Sequence, residues 1–556
     1  MLAKLNHRLI HYALLLTVGG LLFLLNLGAP SLWDVDEGRN SEAAREMMES
    51  GNWIVPTFNY ELRTDKPALL YWLQIAAFRL FGLGEFAARL PSALAAIATV
   101  LLTYEMGRRM FDARTGLLAG IVLSTTLGLC GAAHFANPDA LLCACTVLTL
   151  FAFWNSYARG DRLWLVLCGV STGLAVLAKG PVGLALPGAV IVLFLMWERQ
   201  WKMLLSRRLA IGLALFVLVA GPWYAWVGAD TKGAFLRGFI MQHNIERFGS
   251  PAENHSGSIF YYLIVIVAGL GPWSVFLVPA CWRALGRGSD AEAPFVTSTP
   301  SDANARMPAC YRFLWVWIAV YMVFFSVAHT KLPNYILPLY PAVALLLARY
   351  LERWRRGEYA LGAFWGLISV VGLAAFAMAI VMGCLTMSGF FGHVTSSEVV
   401  GLLPFAAVGA FGLGAAVLMA LLLRRGQRLA VTVTFAIVLI ITNGIAAAFA
   451  IPTLNQLKST RAMGQVIRDA AVERELQVVA YRCFEPSVVF YCRHEVNDVD
   501  GEDQVLEYFR YPTQVCVIMP VTEWERLRGR IGTQCRILDT SRDLYLRQDV
   551  IALTNR

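Results

Sequence analysis

The chain is organised by long apolar runs separated by short polar or basic loops. Thirteen of these runs, near 9–29, 86–107, 115–134, 139–158, 162–178, 181–197, 208–228, 258–281, 312–328, 333–351, 360–386, 398–423 and 428–450, suit the roughly 20 residues of a membrane-crossing helix. The first reads as a retained span, because acidic residues rather than a small-residue cleavage site follow it. A shorter run near 67–82 (PALLYWLQIAAFRLFG) carries Arg79 and reads as a helix lying in the interface. Beyond residue 450 the pattern changes. Short β-rich runs (VVAYRC, VCVIMP, CRILDT, VIALT) alternate with helical ones (STRAMGQVIRDAA, DQVLEYF, TEWERLRGR), as in a small α/β domain. The expected architecture is a polytopic all-α membrane domain over 1–450, with about 13 transmembrane helices, and an α/β domain over 451–556.

Composition agrees with this pattern. Of 556 residues, 57% are apolar and only 15% charged, which excludes a secreted disulfide scaffold, a nucleic-acid binder or a disordered regulator as a description of the whole. The net charge of +9 is unevenly spread. Arg108, Arg109 and Arg114, then Arg199, Lys202, Arg207 and Arg208, then Arg353, Arg355 and Arg356, then Arg424, Arg425 and Arg428 occupy loops that thirteen spans place on one side. Arg283, Arg287, Arg306 and Arg312 join them, so that side is cytoplasmic, the N-terminus lies there, and 451–556 lie outside. The stretch 288–308 reads as a flexible cytoplasmic loop. Four of the eleven cysteines, Cys483, Cys492, Cys516 and Cys535, fall in the outer domain, where one or two disulfides of unspecified pairing are compatible with an oxidising compartment.

The outer loops, 30–85 and 229–257 above all, carry charge next to the membrane. Asp34, Asp36 and Glu37 crowd the exit of the first span, more acid than the N-cap of the following helix requires. Asp139, in the helix start Asn137-Pro138-Asp139, is a first-turn residue and also a candidate second carboxylate for the same cavity. Arg39, Lys66, Arg247 and Lys331 stand at the mouths of different outer loops. Singly each reads as an anchor; together they suggest a site that holds phosphate with cations and uses carboxylates for a second purpose. Lys179 reads as the end of one helix, with Gly180 and Pro181 turning into the next.

The motifs DVDEGR, DKP, LAKGPVGLALP, QHNIERF and KLPNYILPLYP resemble those of the GT-C lipid-linked-sugar glycosyltransferases. Within that class the chain looks most like the 4-amino-4-deoxy-L-arabinose lipid A transferases, relatives of the protein O-mannosyltransferases. The likeness runs from the first span into the outer domain. The chain departs from that branch at Asp65, where Glu is usual, and at Arg63 and Asn40, near which tyrosines are usual. These departures fall on expected sugar contacts and leave Lys66 in place.

The resemblance implies an inverting glycosyltransferase in a bacterial inner membrane with a periplasmic active site. Its donor would be aminoarabinose on undecaprenyl phosphate, its acceptor a phosphate of lipid A, and its consequence resistance to polymyxin and other cationic peptides. Asp36 and Asp139 would be the catalytic acids. Lys66, Arg247, Arg39 and Lys331 would bind the donor phosphate, and Glu37 and Tyr335 would line the substrate. No cofactor is required in this reading, and a divalent metal, if used, falls to Asp65 and His243. A lipid-linked-sugar transferase acting on protein or another glycan is the alternative within enzymes. A transporter is disfavoured, because no internal repeat is visible and charge at mid-span is scarce.

Overall fold

The computed structural model describes residues 2–160, 163–246, 257–285, 308–359, 362–390, 396–450, 460–470, 476–531, 535–543 and 548–555. The expected loop at 288–308 and Arg247 lie outside the described residues, apart from Pro308, which precedes the Ala309–Val327 helix. The first helix, α1 (Leu2–Leu24), leads into α2 (Asp36–Ser50), and a two-stranded ribbon, β1 (Thr57–Phe58) and β2 (Glu61–Leu62), precedes α3 (Leu69–Phe81). Then come α4 (Glu85–Met110), α5 (Ala113–Ser124), α6 (Leu127–Ala133), α7 (Asp139–Arg159), α8 (Leu163–Lys179), α9 (Val182–Trp197) and α10 (Arg207–Asp230). Further helices follow over Tyr261–Ala284, Ala309–Val327, Pro333–Arg355, Gly362–Phe390, Ser396–Arg424 and Arg428–Phe449.

Nine helices among the described residues are long and apolar enough to cross a membrane, or ten if α5 and α6, bent by 64°, form one broken span. The protein is therefore a polytopic, mostly helical membrane protein. Two of the thirteen expected spans, α8 and α9, are present as shorter apolar helices, and the apolar stretch Phe364–Ile380 lies within the longer Gly362–Phe390 helix. Leu69–Phe81 is a further short helix, at the position read as interfacial. For α8 and α9 the reason is local. The turn at Gly180 stops one helix at Lys179 and lets the other begin at Val182, leaving 17 and 16 residues. Gly180 has φ +91, and a Cβ there would meet the Phe239 ring at 2.4 Å, so the turn accepts only glycine.

The bundle has two chemically distinct ends. At one, Arg8 pairs with Glu105, Arg109 donates to Asn155, Arg312 pairs with Glu198, and Arg349 pairs with Asp112. These contacts gather the start of α1 and most of the basic loops on one face. At the other end lie the first loop and the C-terminal domain. That domain is a five-stranded sheet in the order β4-β3-β5-β7-β6, made of β3 (Gln477–Tyr481), β4 (Val496–Val499), β5 (Val515–Pro520), β6 (Arg536–Asp543) and β7 (Gln548–Thr554). Strand β3 runs parallel to β4 and β5, whereas β7 is antiparallel to β5 and β6. The run VCVIMP is central and buried at every position, as its unbroken apolarity requires. Cys483, Cys492, Cys516 and Cys535 are all free thiols in this structure, with no disulfide among them.

The first loop is pinned to this domain. Asp34 accepts hydrogen bonds from the Ser487 amide (2.7 Å) and hydroxyl (2.5 Å), at the start of the Pro486–Cys492 helix. Asn59 exchanges two hydrogen bonds with the Val496 backbone, at 3.0 and 2.9 Å. Tyr491 donates to Glu85 (3.0 Å) and accepts from the Leu32 amide (2.7 Å). Gly38 permits the approach, since a Cβ there would lie 2.5 Å from the Ser487 nitrogen.

Candidate active site

Where the first loop meets the bundle, a cavity of about 110 Å³ opens between α7, α8, α9 and the segments after α10. Its polar lining comes from Asp65, Lys66, Lys179, His243, Thr330 and Tyr335, against an apolar wall that includes Phe239, Phe324 and Phe325. Lys66 enters because Pro67 and Ala68 turn the loop directly into α3. Asp139 sits at the N-terminus of α7, where Asn137 Oδ1 accepts the Asp139 amide (3.0 Å). The carboxylate is therefore oriented by the helix start and favoured by its dipole.

Asp139 is 3% exposed and fully engaged. Lys179 Nζ donates to one oxygen and Asn334 Nδ2 to the other, the latter at 2.5 Å. The Lys179 ammonium also stands 4.8 Å from the centre of the Tyr335 ring. Asp36, half-buried at the start of α2, lies within electrostatic reach of Lys179 and of the buried Tyr71. It makes no side-chain cap, so the N-cap reading of this residue is not what the helix uses. On the remaining side, His243 Nε2 lies 2.8 Å from Asp65 Oδ1, and Arg63 lies 3.6 Å from Oδ2. Burial alone would raise the Asp65 pKa. The hydrogen bond from His243 and the charges of Arg63, His243 and Lys66 outweigh it and hold the carboxyl well below the usual carboxylate range. The result is a small chamber lined by two cations, Lys66 and Lys179, by the carboxylate of Asp65 and by an aromatic face, with Asp139 bonded to Lys179 behind it. Such a chamber can neutralise a phosphate while keeping acidic groups near it.

Comparison with known proteins now bears on this geometry. Residues 65–226 match the family model "dolichyl-phosphate-mannose-protein mannosyltransferase". The undecaprenyl phosphate-α-4-amino-4-deoxy-L-arabinose arabinosyl transferase of Erwinia tasmaniensis is 32% identical over 346 residues, 61% of this chain and 59% of that protein. Its counterpart in Pseudomonas aeruginosa strain UCBPP-PA14 is 30% identical over 374 residues, 66% of this chain and 64% of its own length. The crystal structure of ArnT from Cupriavidus metallidurans bound to undecaprenyl phosphate superposes with a TM-score of 0.80 at 22% identity, covering 98% of each chain. This chain is similar to the aminoarabinose transferases in sequence and shares the fold of one of them. The sequence match spans less than two thirds of the length of the two relatives, whereas the shared fold spans nearly all of both chains compared.

Several residues expected at the site are employed elsewhere. Glu37 is fully buried and saturated. Arg89 grips both its oxygens (2.8 and 2.7 Å), and the amides of Trp33 and Ala136 donate to it at 2.8 and 2.6 Å. It fastens the first loop to α4 and is not among the residues that line the cavity. Arg39 turns toward β1, with its guanidinium 5.9 Å from the Phe58 ring centre, and is absent from the cavity wall. Lys331 is 4% exposed and donates to the carbonyls of Phe325 (2.8 Å) and Ser326 (2.6 Å), so it caps the end of the Ala309–Val327 helix. Lys331→Met is accordingly expected to cost about 1.5–3 kcal/mol of stability, the worth of charge-assisted bonds, while leaving the KM for a lipid-phosphate donor unchanged; denaturation midpoints and initial rates check both.

Asp65 and His243 do adjoin, yet they bond to each other. Among the described residues no third His, Cys, Asp or Glu joins them in a metal-binding group. Lys179 and Asn334 are the residues that sequence reasoning missed. A lysine at a helix end reads as a dipole partner, and nothing within its own stretch points to Asp139, 40 residues earlier.

Proposed function

We propose that this protein transfers 4-amino-4-deoxy-L-arabinose from undecaprenyl phosphate to a phosphate of lipid A at the periplasmic face of the bacterial inner membrane, conferring resistance to polymyxin and related cationic peptides. The observation that carries the reading is the cavity itself. Lys66 and Lys179 face one chamber where the first loop meets the helical bundle, a setting that suits the meeting of two lipid-tailed phosphates. The activity of the relatives and the fold shared with the undecaprenyl phosphate complex support the same choice. In this reading the chain divides into a membrane domain, 1–450, and a periplasmic domain, 451–556. All thirteen apolar stretches cross or enter the bilayer, and the N-terminus lies in the cytoplasm.

The reaction is an inverting displacement. An oxygen of the lipid A phosphate attacks the anomeric carbon while the bond from that carbon to the undecaprenyl phosphate oxygen breaks, its electron pair leaving with the phosphate. The attacking phosphate is already anionic near neutral pH, so Asp36 orients the acceptor and takes any residual proton. The charge growing on the leaving phosphate is met by Lys66, with Arg247 as a second cation. Asp139 holds the Lys179 ammonium over Tyr335, which sets the far wall of the chamber. No step is routed through a metal; Asp65 and His243 are the pair that would hold a divalent ion.

The test is mass spectrometry of lipid A from a strain lacking its own aminoarabinose transferase but still making the donor. An aminoarabinose increment with wild type, absent with Asp36→Ala at equal expression, is the expected result. No increment from well-expressed wild type sinks the lipid A acceptor and turns attention to hydroxyl acceptors on protein or glycan.

A further inference from the structure

Arg63 has no part in the mechanism above, and its surroundings are unusual. The residue is 5% exposed, on the loop between the β1–β2 ribbon and Lys66. Its Nη2 donates to Asn40 Oδ1 at 2.9 Å and lies 3.6 Å from Asp65 Oδ2. Nε and Nη1 are buried and have no hydrogen-bonding partner among the described residues. The Tyr71 hydroxyl, whose ring centre is 6.0 Å from the guanidinium carbon, is likewise buried without a partner among them.

A guanidinium cannot shed its proton, so burial leaves it charged with most of its N–H donors unused. Buried polar groups are nearly always satisfied, and a cluster of unmet donors calls for acceptor oxygens. Asp65 does not fill that need, because its Oδ1 is held by His243 and its Oδ2 approaches Nη2, at 3.6 Å, rather than the unpaired Nε and Nη1. A carbonyl would meet one donor. A phosphate monoester offers several acceptor oxygens and negative charge together, and Arg is the side chain whose planar fork suits it.

Position decides which phosphate. Asn40, the seat of Arg63, lies four residues beyond Asp36 on α2, one helical turn along the same face. Lys66, three residues after Arg63, lines the cavity with Lys179 and His243, whereas Arg63 is not among its lining residues. Of the two cations of one loop, Lys66 thus lines the chamber, while Arg63 is held beside the helix that carries Asp36. In-line displacement requires the entering and leaving phosphates on opposite sides of the anomeric carbon.

We propose that Arg63, seated on Asn40 and Asp65, binds the phosphate of the acceptor beside Asp36, while Lys66 serves the phosphate of the donor. This rests on the transfer reading above and adds the acceptor half of the site.

Two arms test it with the full-length protein in lipid nanodiscs. In the first, donor and lipid A are varied separately for wild type, Arg63→Gln and Arg63→Lys. The KM for lipid A should rise roughly ten- to a hundredfold in Arg63→Gln, the loss of a charge-assisted bond, with the donor KM unchanged and Arg63→Lys intermediate. A rise in donor KM instead, or a fall in kcat and thermal stability with neither KM altered, overturns the assignment.

The second arm needs no turnover. Phosphatidic acid, a lipid phosphomonoester, is titrated against Lys66→Ala, in which the donor position is silenced, and Tm is followed. A rise in Tm that disappears in Lys66→Ala/Arg63→Gln supports a phosphate site at Arg63. No rise, or one that survives the second substitution, overturns it. Wild type that makes no product on lipid A yet shows the Arg63-dependent rise refutes the lipid A acceptor while supporting a phosphate site at Arg63.

Discussion

Lys66→Ala is expected to lower sugar transfer by about 10²–10³-fold while the protein remains folded, the usual consequence of removing one preorganised group that meets charge developing in a transition state. Lys66 lies in the loop before α3, lines the chamber, and contributes to the field that keeps Asp65 ionised. The loss should fall on kcat, because the negative charge that needs the ammonium is greatest as the bond to the sugar breaks. Arginine restores charge but not the compact point donor, so Lys66→Arg should recover only part of the rate. Single-turnover transfer to lipid A in detergent, with circular dichroism to verify folding, measures this directly. Transfer by Lys66→Ala within a fewfold of wild type sinks the assignment of this cation to the leaving phosphate.

The second large effect concerns stability. Arg89→Met should destabilise the protein by about 3–5 kcal/mol, the cost of stranding one partner of a buried ion pair. Both Arg89 and Glu37 are wholly buried. Arg89 also donates to the carbonyls of Leu27 (3.0 Å), Pro30 (2.8 Å) and Ser31 (2.9 Å), so one side chain satisfies the whole descent from α1 into the first loop. Methionine fills the volume and satisfies none of these groups. The expected observation is reduced yield and a lower thermal midpoint in nanodiscs. The double variant Glu37→Gln/Arg89→Met should recover part of the loss, since no stranded carboxylate remains. An unchanged midpoint for the single variant contradicts this account.

These two residues also show what the sequence makes legible. Hydropathy alone places the helices, because a bilayer demands long apolar runs, and it misjudges length where Gly180 turns one helix into the next. The acids of the first loop are harder. Asp34, Asp36 and Glu37 look alike in the string DVDEG, but the start of a helix sends successive side chains about 100° apart. In the folded chain each has a different partner. Asp34 meets Ser487, Asp36 lies within electrostatic reach of Tyr71 and Lys179, and Glu37 meets Arg89. Those partners lie tens to hundreds of residues away, and no local pattern records them. Lys179 is misread for the same reason, since its role is fixed by Asp139 and Asn334 from two other segments. Lys331 errs in the opposite sense. A cation at the mouth of a loop resembles a ligand-binding group until the helix end it closes is known.

The anchoring of the first loop to the C-terminal domain bears on how the protein is made. Asp34 and Ser487 are separated by 453 positions, and the Val496 backbone that Asn59 engages is similarly remote. The loop carrying Asp36 and Lys66 leaves the ribosome hundreds of residues before its fastening partners are synthesised. While the apolar helices between them are inserted, this charged loop must wait without its final contacts. A ribosome that stalls or stops after residue 450 would therefore deliver apolar helices whose first loop has never been fastened.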